Sequence, residues 1–490
     1  MKTALFALLL GLPVLGTMFC GVFRARRVLE VTSVTSTGLV FLSGLWLITT
    51  VMQQTAISSP GGWLYADALS AYMVVIVSGS AWVVALYSTG YLRRLVRNGK
   101  VDDRQLWLYY MLLNVFVFTM MLVLLSNNLG FLWIGSEATT LATAFLVGFY
   151  EREQSIEAAW KYVIICSVGI ALALFGILLT YFSALHVVPA TGNALNWSAL
   201  VEVAPQLDPG VLKLAFIFVL VGFGTKAGIA PMHTWKPDAY GEAPAPISAL
   251  MAAGLVNVAL YSIMRFTILV NKAVDGGFAS TLLIIFGLVS MAVAAPFILV
   301  QRDFKRLLAY SSVEHVGIII FALGLGTPLA LFGALLHLLN NALAKTLLFL
   351  TGANVRTAYQ SKMMRRVTGA IKVIPVSATF LLLGVFAVTG WPPFGVFISE
   401  FTIVSAGFAS GYIVPVVLFV AILATIFGGF IFYAARMVFG EPHKPVMGRD
   451  ARPASLLILG VLLAALLLLG MWLPPPLVTA IQNAVLVLKR

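Results

Sequence analysis

The sequence predicts an all-α, polytopic membrane protein of about fourteen transmembrane helices, and three observations carry that expectation. The chain is 61% hydrophobic and only 10% charged, with a mean hydropathy of +1.00, outside the range of soluble domains. Apolar stretches long enough to cross a hydrocarbon core recur with short polar breaks between them. Lysine and arginine concentrate in alternate breaks, as they do when a chain crosses a bilayer at every stretch.

The first stretch, 3–23, has no small-residue cleavage site and runs into Arg24, Arg26 and Arg27, so it reads as a retained span and not a signal peptide. Spans at 31–52 and 65–90 complete an N-terminal group over 1–105. Five more, at 106–125, 129–150, 158–185, 211–233 and 246–270, fill 106–270. Another five, at 278–300, 307–325, 328–351, 374–394 (continuing to about 408) and 414–438, fill 278–438. A last span at 454–473 and a short tail make up 454–490, and with no long polar segment anywhere 1–490 is expected to be a single transmembrane domain.

Loops after odd-numbered spans hold 23 of the 31 lysines and arginines, Lys236 among them; only 6 lie on the other face, and Lys226 and Lys345 fall inside spans. The positive-inside rule then places the odd loops in the cytoplasm of a prokaryotic cell, at the inner membrane, with both termini outside. The net charge of +13 is explained by this topology, helped by anionic lipid of the bilayer, and no nucleic-acid partner is expected. Cys20 and Cys166 lie in apolar spans without a spacing partner and read as packing residues.

Charged groups inside spans are the exceptions to this pattern. A charge at the bilayer centre costs about 2.5–3.5 kcal/mol on insertion scales, so an intramembrane acid and base suggest an ion pair or a proton relay. Glu137 lies in Leu129-Gly-Phe-Leu-Trp-Ile-Gly-Ser-Glu137-Ala-Thr-Thr-Leu141, and Lys226 in Gly222-Phe-Gly-Thr-Lys226-Ala-Gly-Ile-Ala-Pro231. His337, Asn341 and Lys345 follow one another at i, i+4 and i+8, on one helical face. His315 stands early in the tenth span, where Glu314 could equally anchor it at the membrane surface, and Glu400 follows the helix breaker Gly390-Trp-Pro-Pro. The breaks in spans seven and twelve fall five spans apart, which suggests an inverted repeat of spans 4–8 and 9–13 with irregular backbone beside an ion site. His186, His443 and, outside its motif, His233 read as loop residues. No phosphate loop, nucleophile–base pair or metal-ligand spacing is present, so neither cofactor nor metal is expected.

The stretch Lys226-Ala-Gly-Ile-Ala-Pro-Met-His233-Thr-Trp-Lys-Pro-Asp238-Ala-Tyr-Gly-Glu242-Ala-Pro-Ala-Pro246 resembles the signature of proton-conducting, antiporter-like membrane subunits. These occur in respiratory complex I, multisubunit Na+/H+ antiporters and energy-converting hydrogenases. Phe304-Lys-Arg-Leu-Leu-Ala-Tyr-Ser-Ser312, His337–Gly352 and Gly390–Phe401 extend the likeness over nearly the whole chain. Glu137-Ala-Thr-Thr-Leu-Ala-Thr143, Ala158-Ala-Trp-Lys161-Tyr-Val-Ile-Ile-Cys-Ser-Val-Gly169 and Ser311-Ser-Val-Glu-His315 look most like hydrogenase-4 component F.

The resemblance implies fourteen helices with two inverted five-helix repeats, broken at helices 7 and 12. It implies a proton route through Glu137, Lys226, His315, His337, Lys345 and Glu400, with Lys161, His233, Asn257 and Asn341 as supporting polar groups. The partners it implies are other membrane subunits and, through them, peripheral redox subunits. Asn257 stands where related subunits often carry lysine and Asn341 where some carry histidine, gaps that ordered water would have to bridge. Lys236 and Tyr240 replace the usual leucine and histidine of the signature. Two other readings stay open: a subunit of a multisubunit Na+/H+ antiporter, and a membrane anchor that conducts nothing.

Overall fold

The computed structural model describes residues 2–188, 193–274, 276–442 and 450–489. His443 and three of the cations used for the topology, Lys444, Arg449 and Arg490, lie outside the described residues.

Thirteen helices among the described residues are long and apolar enough to span a membrane. They are α1 (Lys2–Val22), α2 (Arg26–Gln54), α3 (Ala68–Arg97), α4 (Asp103–Leu125), α5 (Leu129–Val147), α6 (Glu153–Ala184), the first half of α7 (Pro209–Ala227), α8 (Ala245–Ala273), α9 (Phe278–Val300), α10 (Phe304–Leu325), α11 (Pro328–Tyr359), α13 (Ile413–Val438) and α14 (Pro453–Met471). The second half of α7 is Trp235–Glu242, and α12 consists of two shorter halves, Pro375–Val388 and Gly395–Ala409. With α12 counted as one span, the described residues hold the expected fourteen. A further amphipathic helix, α15 (Pro475–Leu488), stands where only a short tail was expected; Pro475 at its first turn starts it, and its apolar face packs on α3.

The backbone explains both broken spans. Gly228 ends the first half of α7 at φ 76°, and the Ile229 amide bonds back to Gly224 O at 2.8 Å. In α12 Gly390 adopts φ 66°, and the Trp391 amide bonds back to Phe386 O at 3.0 Å. Left-handed glycine with this long-range closure is how helices stop, and the prolines beyond it supply no amide to continue. In α7 the second half then secures the first, because Trp235 Nε1 donates to Thr225 O at 2.9 Å. In α12 Asn340 of α11 donates to Gly395 O at 2.7 Å, holding the start of its second half.

Close helix pairs flank the centre. A Cβ on Gly222 (α7) would fall 2.5 Å from the Ala173 amide of α6, and one on Gly287 (α9) 2.7 Å from the Phe321 amide of α10. Small residues let such backbones touch where apolar burial alone gives lipid-immersed helices little reason to associate. Between these pairs runs α8, buried from Ala245 to Val270 and interrupted by a π-turn at Met251–Leu255.

The one departure from all-α among the described residues is a small hairpin between α2 and α3, β1 (Ala56–Ser58) with β2 (Tyr65–Asp67). Asp67 caps α3 and holds Arg265 of α8 in a two-pronged ion pair at 2.7 and 2.8 Å, with the guanidinium 4.2 Å above the Trp197 ring.

Candidate functional site

Lys226 occupies the last turn of the first half of α7 and is 2% exposed. The unsatisfied carbonyls of a helix C-terminus favour a cation there. Its ammonium donates to Ser136 O and Thr140 Oγ1, both on α5. Thr140 Oγ1 in turn lies 3.4 Å from Glu137 Oε2, and Ser167 of α6 donates to Glu137 Oε1 at 2.7 Å. Among the described residues Glu137 and Lys226 form no direct ion pair, so the pairing suggested by the sequence is corrected to a linkage through a hydroxyl. Glu137 is half-buried on the outer wall of the bundle, where Ser167 holds one of its oxygens.

The same three chemical groups recur between α10 and α11. Lys345, fully buried, donates to Ser311 Oγ, and Ser311 Oγ donates to Glu314 Oε2 at 3.2 Å. Glu314 is therefore part of the buried row and not an anchor at the membrane surface. The sequence signal that could have found it is position: α10 begins at Phe304, so Glu314 lies about 15 Å inside the helix at 1.5 Å per residue.

One helix turn along α10 from Ser311, and about two along α11 from Lys345, the row continues through imidazoles. His315 Nδ1 lies 2.8 Å from His337 Nε2, and His337 Nδ1 lies 2.9 Å from Ser399 Oγ. With Ser399 donating to Val396 O, His337 must donate from Nδ1 and accept at Nε2 from His315. A relay of this kind can also run with every hydrogen bond reversed. Glu400, next to Ser399, packs its carboxylate into the break of α12: a Cβ on Gly390 would sit 2.1 Å from Glu400 Oε2. His315, His337 and Glu400 bring ligand-type atoms within 4.8 Å of one another and could together face a cation. The two histidines spend one nitrogen each on their mutual hydrogen bond, and His337 spends its other on Ser399.

Other residues divide. Asn341 is buried on α11 between His337 and Lys345, and Asn257 is buried on α8, bonded back to Ala253 O at 2.9 Å. The Oδ1 atoms of both carboxamides have no hydrogen-bond partner among the described residues. His233 lies beside the stacked rings of Phe297 and Tyr310, with centroids 6.4 and 6.1 Å away. Lys161 is half-exposed on the basic face, paired with Glu157 at 2.6 Å and Asp238 at 3.4 Å, and does not join the row. Lys236, counted from the sequence among the loop cations, is instead wholly buried. The short polar segment after Pro231 reads as a loop, but the second half of α7 turns back into the protein.

Comparison with known proteins agrees with this architecture. The family described as NADH:quinone oxidoreductase/Mrp antiporter, TM, matches residues 126–427, and the N-terminal family of complex I chain 5 matches residues 63–98. A hydrogenase-4 component F homolog of Methylacidiphilum infernorum is 37% identical over 432 residues, covering 88% of this chain and 90% of its own. Among solved structures, a chain of an archaeal membrane-bound sulfane sulfur reductase superposes with a TM-score of 0.87 at 24% identity, covering 99% of this chain and 97% of its own. A chain of the Mrp complex from Dietzia sp. DQ12-45-1b gives 0.86 at 17% identity, covering 100% and 97%. With the matched region spanning well over half its length and containing both broken helices and every member of the buried row, the chain belongs to the NADH:quinone oxidoreductase/Mrp antiporter family of membrane subunits.

Proposed function

We propose that this chain is the proton-translocating membrane subunit of a redox-driven complex of the hydrogenase-4 or complex I kind, in a prokaryotic inner membrane with both termini outside. The observation that carries the reading is the repeated lysine–hydroxyl–carboxylate unit, Lys226–Thr140–Glu137 and Lys345–Ser311–Glu314, continued by His315, His337 and Glu400. Buried ionisable groups inside membrane helices are kept for ion pathways and proton relays. The hydroxyls and carboxylates sit in matching places, on α5 and α10, and the broken spans α7 and α12 match as well, while the lysines come from helices that do not correspond, Lys226 from α7 and Lys345 from α11. This supports two inverted five-helix repeats over 106–270 and 278–438, flanked by 1–105 and 454–490.

Glu137 is the end of the row open to control. It shares an outer face of α5 with the exposed Ile134 and Leu141, beside exposed Ile164 and Val168 of α6, where another membrane subunit can dock. A nearby carboxylate favours a charged ammonium, so a neighbour that draws Glu137 away loosens the proton held by Lys226. The proton then passes through Lys345 and the histidine pair to Glu400. Buried Asn257 and Asn341, with their free carboxamide oxygens, offer the contacts that internal water takes. Each proton moved against 100 mV stores about 2.3 kcal/mol. A chain that returns to its starting state each cycle cannot provide that work, so redox chemistry in partner subunits must.

The test is dye-reported proton uptake by inverted vesicles carrying the intact complex, comparing wild type with Lys226→Ala at matched assembly and electron transfer. Uptake should stop or fall far below wild type while electron transfer persists. Unchanged uptake would leave the chain as a membrane anchor. Sodium-dependent proton exchange without an electron donor would favour antiport, the activity named for the Mrp-type relatives.

A further inference from the structure

The geometry points to Lys236 as a third proton-carrying lysine, joining the Lys226 unit of the first half to the Lys345 unit of the second. This rests on the proton-translocating reading above. Lys236 is completely buried at the start of the second half of α7. Its amine donates to Ser312 O of α10 at 3.3 Å, and Ser312 adjoins Ser311, the hydroxyl that holds Lys345. The same amine end lies against the break at Gly228, two residues beyond Lys226. A Cβ on Gly228 would fall 2.5 Å from Lys236 Cδ, 2.6 Å from Cε and 2.9 Å from Nζ. One side chain thus reaches from the broken helix of one half to the lysine-binding helix of the other.

Packing does not account for an amine at this position. Among the described residues Lys236 has no carboxylate within ion-pair distance; one carbonyl and the Tyr240 ring, 5.9 Å from Nζ, are its polar contacts. Leucine or methionine would fill the same space without the penalty of burying a charge, and replacing buried ionic groups by apolar ones is often neutral or stabilising. A proton arriving at Lys236 meets no counter-charge to trap it, which suits a way-station more than a structural pair. The step is proton transfer alone. An N–H bond of the Lys226 ammonium breaks as one forms on the Lys236 amine, directly or through water. The same exchange then repeats towards Lys345, with no electron moved.

The experiment uses the assembled complex in inverted vesicles, with Lys226→Ala, Lys236→Met, Lys236→Gln and Lys236→His compared at equal assembly and electron transfer. Methionine keeps the length without the amine, glutamine keeps a donor for Ser312 O but does not titrate, and histidine titrates. We expect methionine and glutamine to slow uptake about 100-fold, the low end of what a positioned proton-transfer group contributes, and histidine to recover a large part of it. Normal uptake with glutamine would make Lys236 a hydrogen-bonding strut and overturn the proposal; normal uptake with methionine would do the same. In either case a blocked Lys226→Ala shows that the translocation reading itself stands. If Lys226→Ala is unaffected, that reading fails and the role of Lys236 with it. Should methionine fail to assemble, the glutamine–histidine contrast decides alone.

Discussion

Lys226 and Glu137 are linked by the Thr140 hydroxyl, which accepts from the lysine and faces the carboxylate at 3.4 Å. Lys345 and Glu314 are linked in the same way by Ser311. A hydroxyl both accepts and donates, so it passes on the state of one charge to the other without fixing them together as a tight ion pair would. Small displacements of the carboxylate can then be felt at the lysine, and that sensitivity is what a coupled proton carrier needs.

The linkage predicts the effect of removing one oxygen. Thr140→Val keeps the shape of the side chain but leaves a buried ammonium short of an acceptor, a deficit of about 1–3 kcal/mol. Proton uptake should fall severalfold at unchanged electron transfer, while Thr140→Ser stays near wild type. Equal uptake in the valine and serine variants would show that the hydroxyl takes no part in coupling.

Glu314 should matter more than Glu137. Glu314 is 3% exposed and Glu137 is half-buried at the outer wall, so the field of Glu314 at its lysine is less screened by surroundings of high dielectric constant. Glu314→Gln is expected to lower uptake more deeply than Glu137→Gln at matched assembly. The reverse order would mean that the Lys345 unit serves packing.

The spans, their number and most of the row were legible because intramembrane charge and helix-breaking proline stand out against apolar sequence. Glu314 was harder to place, since the start of α10 at Phe304 is amphiphilic and the residue lies close to a basic loop in sequence. Lys236 was hidden for a different reason. Polar residues after a break look like loop residues until the fold-back of the second half of α7, held by Trp235 on Thr225 O, carries them inside. The Thr140 and Ser311 links depend on side-chain directions across two helices, which spacing within one helix does not give.

Arg265 offers a control in which stability and transport separate. Its two-pronged pair with Asp67 is fully buried, and removing one partner of such a pair costs about 3–5 kcal/mol. Arg265→Gln should lower the thermal stability and yield of the complex. The fraction that does assemble should still take up protons at the wild-type rate per electron. Loss of uptake in that fraction would place the pair on the route.

Two glycine substitutions should fail in opposite ways. At Gly222 an alanine Cβ meets the Ala173 amide and Cβ and the Gly169 carbonyl, at 2.5 and 2.6 Å. Backbone cannot step aside, so α6 and α7 must separate, and Gly222→Ala should reduce assembly. At Gly390 the atom in the way is Glu400 Oε2, the free end of a side chain that can swing, and an alanine at φ 66° adds only about 1–2 kcal/mol of backbone strain. Gly390→Ala should therefore assemble well but displace the Glu400 carboxylate from beside His337, slowing proton release with little change in yield. Western blotting of membranes and initial uptake rates on the same vesicles distinguish the two. If Gly390→Ala assembles and pumps normally, the position of Glu400 against the break of α12 is incidental, and the end of the route lies elsewhere.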